Sequence, residues 1–312
     1  MKDQTRIYLA AGNKTAYVND QPIELDVAPV IYAKKQRTYI PLRFVAEVLN
    51  KKVVWEGSAK AIYICDLIKY KEIKDILSKV DEAMKLAEKC SQMIDIDTAV
   101  KSGQMTMNID INAEAQIDKA QKRMNIKMCI NMLGLEMKSD TYYADNTSYI
   151  LDILTQKWQK KNYMPSEYDS LFASQSDIAV MKVNESLCAG LVRVEGTNPE
   201  EIVLKGDAFL IDMFNRVLAS QEIENPITSV KNVEFGTFQI EASINSTTNL
   251  ISSISMNVAI IQTDNKNETI KTDIGIKILY SDYNGNFQIV VPEEILLNAV
   301  ETTATEAPVI TE

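Results

Sequence analysis

Two stretches of this chain alternate apolar and polar residues for longer than a turn or a helix tolerates. In the first, Met105, Met107, Ile109, Ile111 and Ala113 are interleaved with Thr106, Asn108, Asp110 and Asn112; in the second, Met124, Ile126, Met128, Ile130 and Met132 are interleaved with Arg123, Asn125, Lys127, Cys129 and Asn131. A period of two sends successive side chains to opposite faces of a strand, so each stretch predicts a long strand with one dry and one wet face. Strands of this kind belong to antiparallel sheets, which bury one face and leave the other to water.

The C-terminal third repeats the pattern as a meander. Phe238, Ile240, Ala242 and Ile244 alternate, then Ile254, Met256, Val258 and Ile260, then Ile274, Ile276, Ile278 and Tyr280. Polar turns fall at 245–249, 264–268 and 282–286, with Asn284-Gly285 as the strongest hairpin signal. Between the two sets of strands, Asp145-Asn146 predicts a hairpin turn joining 135–144 to 147–158. Helices are expected from Leu67 to about Ser91, on a stripe of Ile73, Ile76, Leu77, Val80, Met84 and Ala87, over 165–187, and after Asp207, on a stripe of Leu210, Ile211, Phe214, Val217 and Leu218. A weaker strand pair is read at 192–194 and 202–204. Residues 301–312 show no apolar period and are expected to be a disordered tail.

Residues 6–64 differ in scale. Short apolar strands (7–10, 16–18, 28–31, 38–40) are separated by turn-forming clusters, among them Asn19-Asp20-Gln21-Pro22 and Lys34-Lys35-Gln36-Arg37. Pro41, at the favoured first helical position, opens one short helix through Leu49, and strands return at 53–55 and 61–64. At 312 residues the chain exceeds what one core usually serves, so the expected domains are 1–66 and 67–300, followed by the tail.

Composition then narrows function. A net charge of -10 opposes a phosphate-binding surface, so no nucleic-acid partner is expected. No apolar run is long enough for a transmembrane segment, and Met1–Thr5 leads into Arg6–Leu9 without the hydrophobic core of a signal peptide. The chain is thus expected to be either cytoplasmic or a mature, export-processed form. It contains no histidine, which removes Ser-His-Asp triads, Cys-His dyads, HExxH zinc sites and copper-imidazole sites. Neither Walker, GxGxxG nor GxSxG patterns occur, so the chain is read as non-enzymatic with no cofactor. Abundant carboxylates keep a carboxylate-pair hydrolase formally open without singling out a pair. Cys65, Cys90, Cys129 and Cys188 match no metal or redox spacing and read as buried small hydrophobes, with disulfides as the alternative if the chain is exported. Asp95, Asp97 and the acidic turns lack the ligand order of a calcium loop.

The run Val18-Asn19, Leu25-Asp26-Val27-Ala28-Pro29, Arg37 to Leu49 and Val54-Trp55-Glu56 resembles the N-terminal domain of copper amine oxidases, a stalk or repeat module of secreted Gram-positive proteins. Asn50 stands where that family usually has Gly, and Glu56 where Asp is commoner; Asn tolerates the left-handed backbone a helix end requires. Oxidase chemistry needs a separate copper-histidine domain, so only the module is shared. From about 67 to 300, the order of helix, long strands, inserted helices and meander, with Tyr149, Trp158-Gln159-Lys160 and Tyr280-Ser281-Asp282-Tyr283, resembles the LolA/LppX-like lipoproteins. That resemblance implies an α+β chain: a small α/β stalk module plus a curved antiparallel β half-barrel with helices on its concave face.

The resemblances imply an extracellular, cell-surface binding protein holding a lipid or other apolar molecule. The candidate lining is Met105, Met107, Ile109, Met124, Ile126, Met128, Ile130, Met132, Ile254, Met256, Val258 and Ile276, where flexible methionines suit varied apolar ligands. Ordinary core packing under the helices is the favoured reading of these same residues, because a curved sheet must bury one face regardless. The alternative function is an envelope scaffold or cell-wall interaction protein with a filled core.

Overall fold

β1 (Ile7–Tyr8), β2 (Thr15–Val18) and β3 (Gln21–Glu24) pair in that order into an antiparallel sheet. The tight β2–β3 turn needs only Asn19 and Asp20, both at positive φ (48° and 69°). Gln21 and Pro22, read from sequence as part of the turn, belong to β3, where an edge position spares Pro22 from donating a ladder bond. β4 (Val30–Tyr32) and β5 (Arg37–Tyr39) form a hairpin around a 3₁₀ turn, Ala33–Lys35. α1 (Leu42–Val48) starts one residue later than expected, with Pro41 as its N-cap, and Asn50 follows it at φ 55°. A last hairpin, β6 (Lys51–Glu56) and β7 (Ala61–Asp66), completes the module. This computed structural model describes residues 5–57, 61–176, 183–196, 198–207, 233–263 and 269–302.

Asp66 ends β7 and caps α2 (Leu67–Leu86), accepting the Ile68 and Lys69 amides at 2.9 and 3.4 Å. The Lys51 ammonium, bonded to the same carboxylate at 3.2 Å, holds its pKa below the ordinary aspartate range. The helix stops five residues short of the expected end because residues 89–102 are a strand, β8 (Lys89–Ser102). β9 (Met105–Asp118), β10 (Arg123–Met132), β11 (Leu135–Ala144), β12 (Thr147–Leu151) and β13 (Trp158–Asn162) continue it as an antiparallel meander. Asp145 and Asn146, at φ 53° and 61°, make the expected two-residue turn. Where one helix was expected over 165–187, there are α3 (Pro165–Ser176) and α4 (Glu185–Gly190). The apolar stripe 210–218 lies outside the described residues.

The second meander comprises β14 (Leu191–Val194), β15 (Glu201–Gly206), β16 (Val233–Asn245), β17 (Ile251–Thr263) and β18 (Thr269–Ser281). Pairing of β18 with β8 joins both meanders into one curved, open sheet of twelve strands, completed by β19 (Val300–Glu301) lying parallel to β13. Asn284-Gly285 turns the chain without starting a hairpin. The Asn284 side chain accepts the Glu88 and Lys89 amides, and the chain after it crosses to the sheet's other face.

The main core lies on one face, called inner here, where Tyr70, Ile73, Leu77 and Val80 of α2 pack with Leu187 and Cys188 of α4 against β16–β18. Val54 of the N-terminal module belongs to the same core, and two polar contacts accompany it: Ser186 Oγ donates to Glu56 at 2.5 Å, and Lys52 pairs with Glu185 at 3.1 Å. A smaller core under α3 gathers Cys90, Ile117, Met124, Tyr143, Tyr168 and Phe172. On the outer face, α5 (Glu293–Asn298) and the strap before it bury Ile289, Val291 and Ile295 against Tyr142 and Ala144. Lys89 and Arg123 donate to the strap carbonyls of Phe287 and Ile289. Between these two cations lies Asp118, 1% exposed, which meets Lys89 as an ion pair at 3.1 Å without an aligned hydrogen bond.

Candidate functional site

Residues directly opposite in antiparallel strands share a face, so the registers place every candidate lining residue. One row crosses Met256, Ile276, Ile96, Ile111, Ile130 and Met137. The neighbouring row crosses Ile254, Ile278, Ile94, Ala113 and Met128, and another crosses Val258, Ile274, Thr98, Ile109 and Met132. Met107 and Met105 extend β9 beyond these rows, while Ile126 and Met124 lie toward α3. All twelve candidates therefore face inward, on the side that carries α2, α3 and α4.

Burial divides them. Ile254, Met256, Val258 and Ile276 are sealed beneath α2, and Met124 is sealed beneath α3. These five are core, as ordinary packing under helices would have them: a helix laid on the sheet fills that part of the face. Met107, Ile109, Ile126, Met128, Ile130 and Met132 remain half-exposed, as do Ile111 and Met137 beside them. Along β9 the inward positions pass from buried Ile117 (2%) and Ala115, through half-exposed Ala113, Ile111, Ile109 and Met107, to Met105 at 79%, and Leu133 and Leu135 at the β10–β11 turn are exposed as well. The result is an apolar trough on β9–β11, closed at one end by α3 and open at the strand tips.

The trough is chemically uniform. Its inward positions on β9, β10 and β11 carry Met, Ile, Ala, Leu, Ser, Thr and Tyr, with no charged side chain. A charged ligand group placed there would lose its water without an ionic partner, whereas an apolar chain would gain about 25 cal/mol for each Å² removed from water. The charges sit on the outer face, in register opposite the trough: Asp110, Glu114, Lys127, Lys138 and Asp140. There, burial raises the Asp140 carboxyl pKa, and Asn125 donates to it at 2.7 Å. Two depressions, of about 620 and 460 Å³, lie on the outer face; the first centres on Gly275 with Asp97, Asp110 and Asp273, and the second is mainly apolar, with Met93, Cys129 and Leu151 beside Lys127, Lys138 and Asp140. Among the described residues no cluster of three His, Cys, Asp or Glu side chains is placed to hold a metal, and no helix is long and apolar enough to cross a membrane.

Sequence reasoning missed Ile111 and Met137 as lining and Leu133 and Leu135 as the open rim. Met137 was recoverable, since it lies at the same alternating phase within 135–144. The rim was not, because only the position of α3 decides which end of the strands is left open.

Fold and trough together define a class: an α+β half-barrel with helices on its inner face, preceded by a small strand-rich module. The chain belongs to the family of unknown function DUF6612, whose model matches residues 72–300, and residues 1–64 match the copper amine oxidase N-terminal domain. Among solved structures it is similar to the lipoprotein LppX of Mycobacterium tuberculosis, at 9% identity and a TM-score of 0.36, over 70% of this chain and 99% of that one. It is also similar to LprF of Mycobacterium bovis, at 10% identity and a TM-score of 0.38, over 71% and 97% of the two chains. A putative outer membrane lipoprotein-sorting protein domain from Vibrio parahaemolyticus aligns over 72% of this chain and 96% of its own, at 7% identity and a TM-score of 0.22. No curated protein matches the chain.

Proposed function

We propose that this protein is an exported, cell-surface binding protein whose trough on β9–β11 holds the acyl chain of a lipid or a similar apolar molecule. The observation that carries the reading is the uncharged, methionine-rich face that α2 and α3 leave half-covered while the same face around Ile240, Ile254, Met256, Val258 and Ile276 is sealed. Unbranched methionines repack around chains of differing shape, so the trough favours a class of apolar ligands over one species. A headgroup then sits beyond Met105 and Leu135, at the open rim, where its charge keeps its water.

Native mass spectrometry of the full chain after mixing with vesicles of phosphatidylglycerol tests this. Bound lipid that is lost in an Ile130→Asp variant supports the proposal; a clean unliganded mass at every lipid ratio overturns it. The alternative, an envelope scaffold, draws on a different observation: Val30, Ile31, Tyr32 and Tyr39 stand exposed on the β4–β5 hairpin. Retention of the full chain on purified cell wall, abolished by Ile31→Asp with Tyr39→Asp, would favour that reading.

A further inference from the structure

Two thiols converge where the N-terminal module meets α4. In the β6–β7 hairpin Lys52 is the cross-strand partner of Cys65, so both side chains leave the same face. Lys52 reaches α4, bonding Glu185 at 3.1 Å and standing 5.2 Å from the centre of the Tyr70 ring. Cys188 follows Glu185 by three residues, on the same side of α4. Cys188 is a member of the main core, and Cys65 packs against that core. α4 packs directly on β7, the strand that carries Cys65. Burial is the main cause of the high Cys188 pKa, opposed by Lys74 and reinforced by Glu185 and, least, by Cys65. Burial likewise raises the Cys65 thiol. Both are free thiols in this structure.

The other two cysteines offer no competing pair. Cys90 faces inward beneath α3, opposite Ile117, whereas Cys129 faces outward, opposite Asn112 and Lys138. The sheet itself separates them.

We propose that Cys65 and Cys188 form a disulfide that ties the N-terminal module to the sheet domain when the chain meets a small-molecule disulfide as oxidant. Cys65, the more exposed of the two, is the entry point. Its thiolate attacks one sulfur of the oxidant and releases the first small thiolate, leaving a mixed disulfide. The Cys188 thiolate then attacks the Cys65 sulfur and releases the second. The protein loses two protons and two electrons, and the oxidant is reduced to two thiols. Because both protein thiols ionise reluctantly, the exchange is slow at neutral pH and quickens as pH rises.

The bond would close a loop of about 120 residues, which restrains the unfolded chain strongly and raises the melting temperature by on the order of 5 °C. The test incubates the full chain with oxidised glutathione, blocks remaining thiols, digests with trypsin and maps the products by mass spectrometry. The expected product links the peptides 61–69 and 183–193, and the oxidised protein melts higher until dithiothreitol is added. Cys129→Ser should leave both results unchanged, while Cys188→Ser should abolish the link. Glutathione retained on Cys65 without a link, a link to Cys90 or Cys129, four thiols still free after oxidation, or a linked protein that melts no higher would each overturn the proposal.

Discussion

Ile254 and Ile130 point from the same face of the same sheet, yet truncating them should have opposite consequences for stability and binding. Ile254 is 0% exposed under α2. Changing it to Ala removes three carbons from a sealed site, about 2.4 kcal/mol at ~0.8 kcal/mol per buried methylene, and the cavity left behind brings the cost to about 4 kcal/mol. Ile130 is half-exposed, so about half of the transfer cost applies, water occupies the gap, and the loss is about 1 kcal/mol. With a urea slope of about 3 kcal/mol/M, the two midpoints should differ by about 1 M. Urea titrations followed through Trp55 and Trp158 fluorescence measure this directly. Titration with a fluorescent fatty acid should show the reverse order: Ile130→Ala weakens binding about fivefold, equivalent to ~1 kcal/mol, and Ile254→Ala changes it less than about twofold. Equal destabilisation by both variants would mean that β9–β11 is ordinary filled core. Equal loss of binding would mean that the ligand does not distinguish the trough from the sealed face.

Asp118→Ala should destabilise the protein by about 3 kcal/mol, since it leaves the Lys89 charge unpaired beside the strap, and limited proteolysis should then cut within 286–300; an unchanged cleavage pattern would contradict that anchoring. Burial holds the Tyr168, Tyr280 and Tyr283 hydroxyls protonated far above the usual tyrosine range, and Tyr283 donates to the Ile251 carbonyl at 2.7 Å. Their contribution is complete below the unfolded pKa of about 10 and is lost as pH rises beyond it, so tyrosinate absorbance from these three should appear only together with loss of circular dichroism. A full tyrosine titration in folded protein would refute this. Gly206→Ala would set a Cβ 2.0 Å from the Gly190 carbonyl oxygen and should cost about 3 kcal/mol through displaced backbone; a wild-type urea midpoint would show that the close approach is relaxed in solution.

The alternating residues of β9, β10, β17 and β18 were legible because a period of two has only one physical solution when one side is apolar. β8 was harder. Ile94-Asp95-Ile96-Asp97 alternates, but Cys90-Ser91-Gln92 lacks apolar contrast, and no Gly or Pro separates the strand from α2. The Asn284-Gly285 signal was read correctly as a turn and wrongly as a hairpin, because Asn284 caps the start of β8 through its side chain. Strand alternation placed the candidate lining on one face. It left unresolved which part is sealed, since that depends on where α2 and α3 lie, and a strand's own residues do not encode the helix that covers it.

The pairing of β18 with β8 places Ser281 opposite Ser91. Contacts that distant in sequence form late, because a long loop must close before they repay its entropy. During synthesis the first meander can assemble while its β8 edge is still bare, with the backbone donors and acceptors of β8 open to any strand that reaches them. The two halves become one sheet only after residue 281 has emerged, so the order of synthesis makes β8 the longest-waiting edge in the molecule.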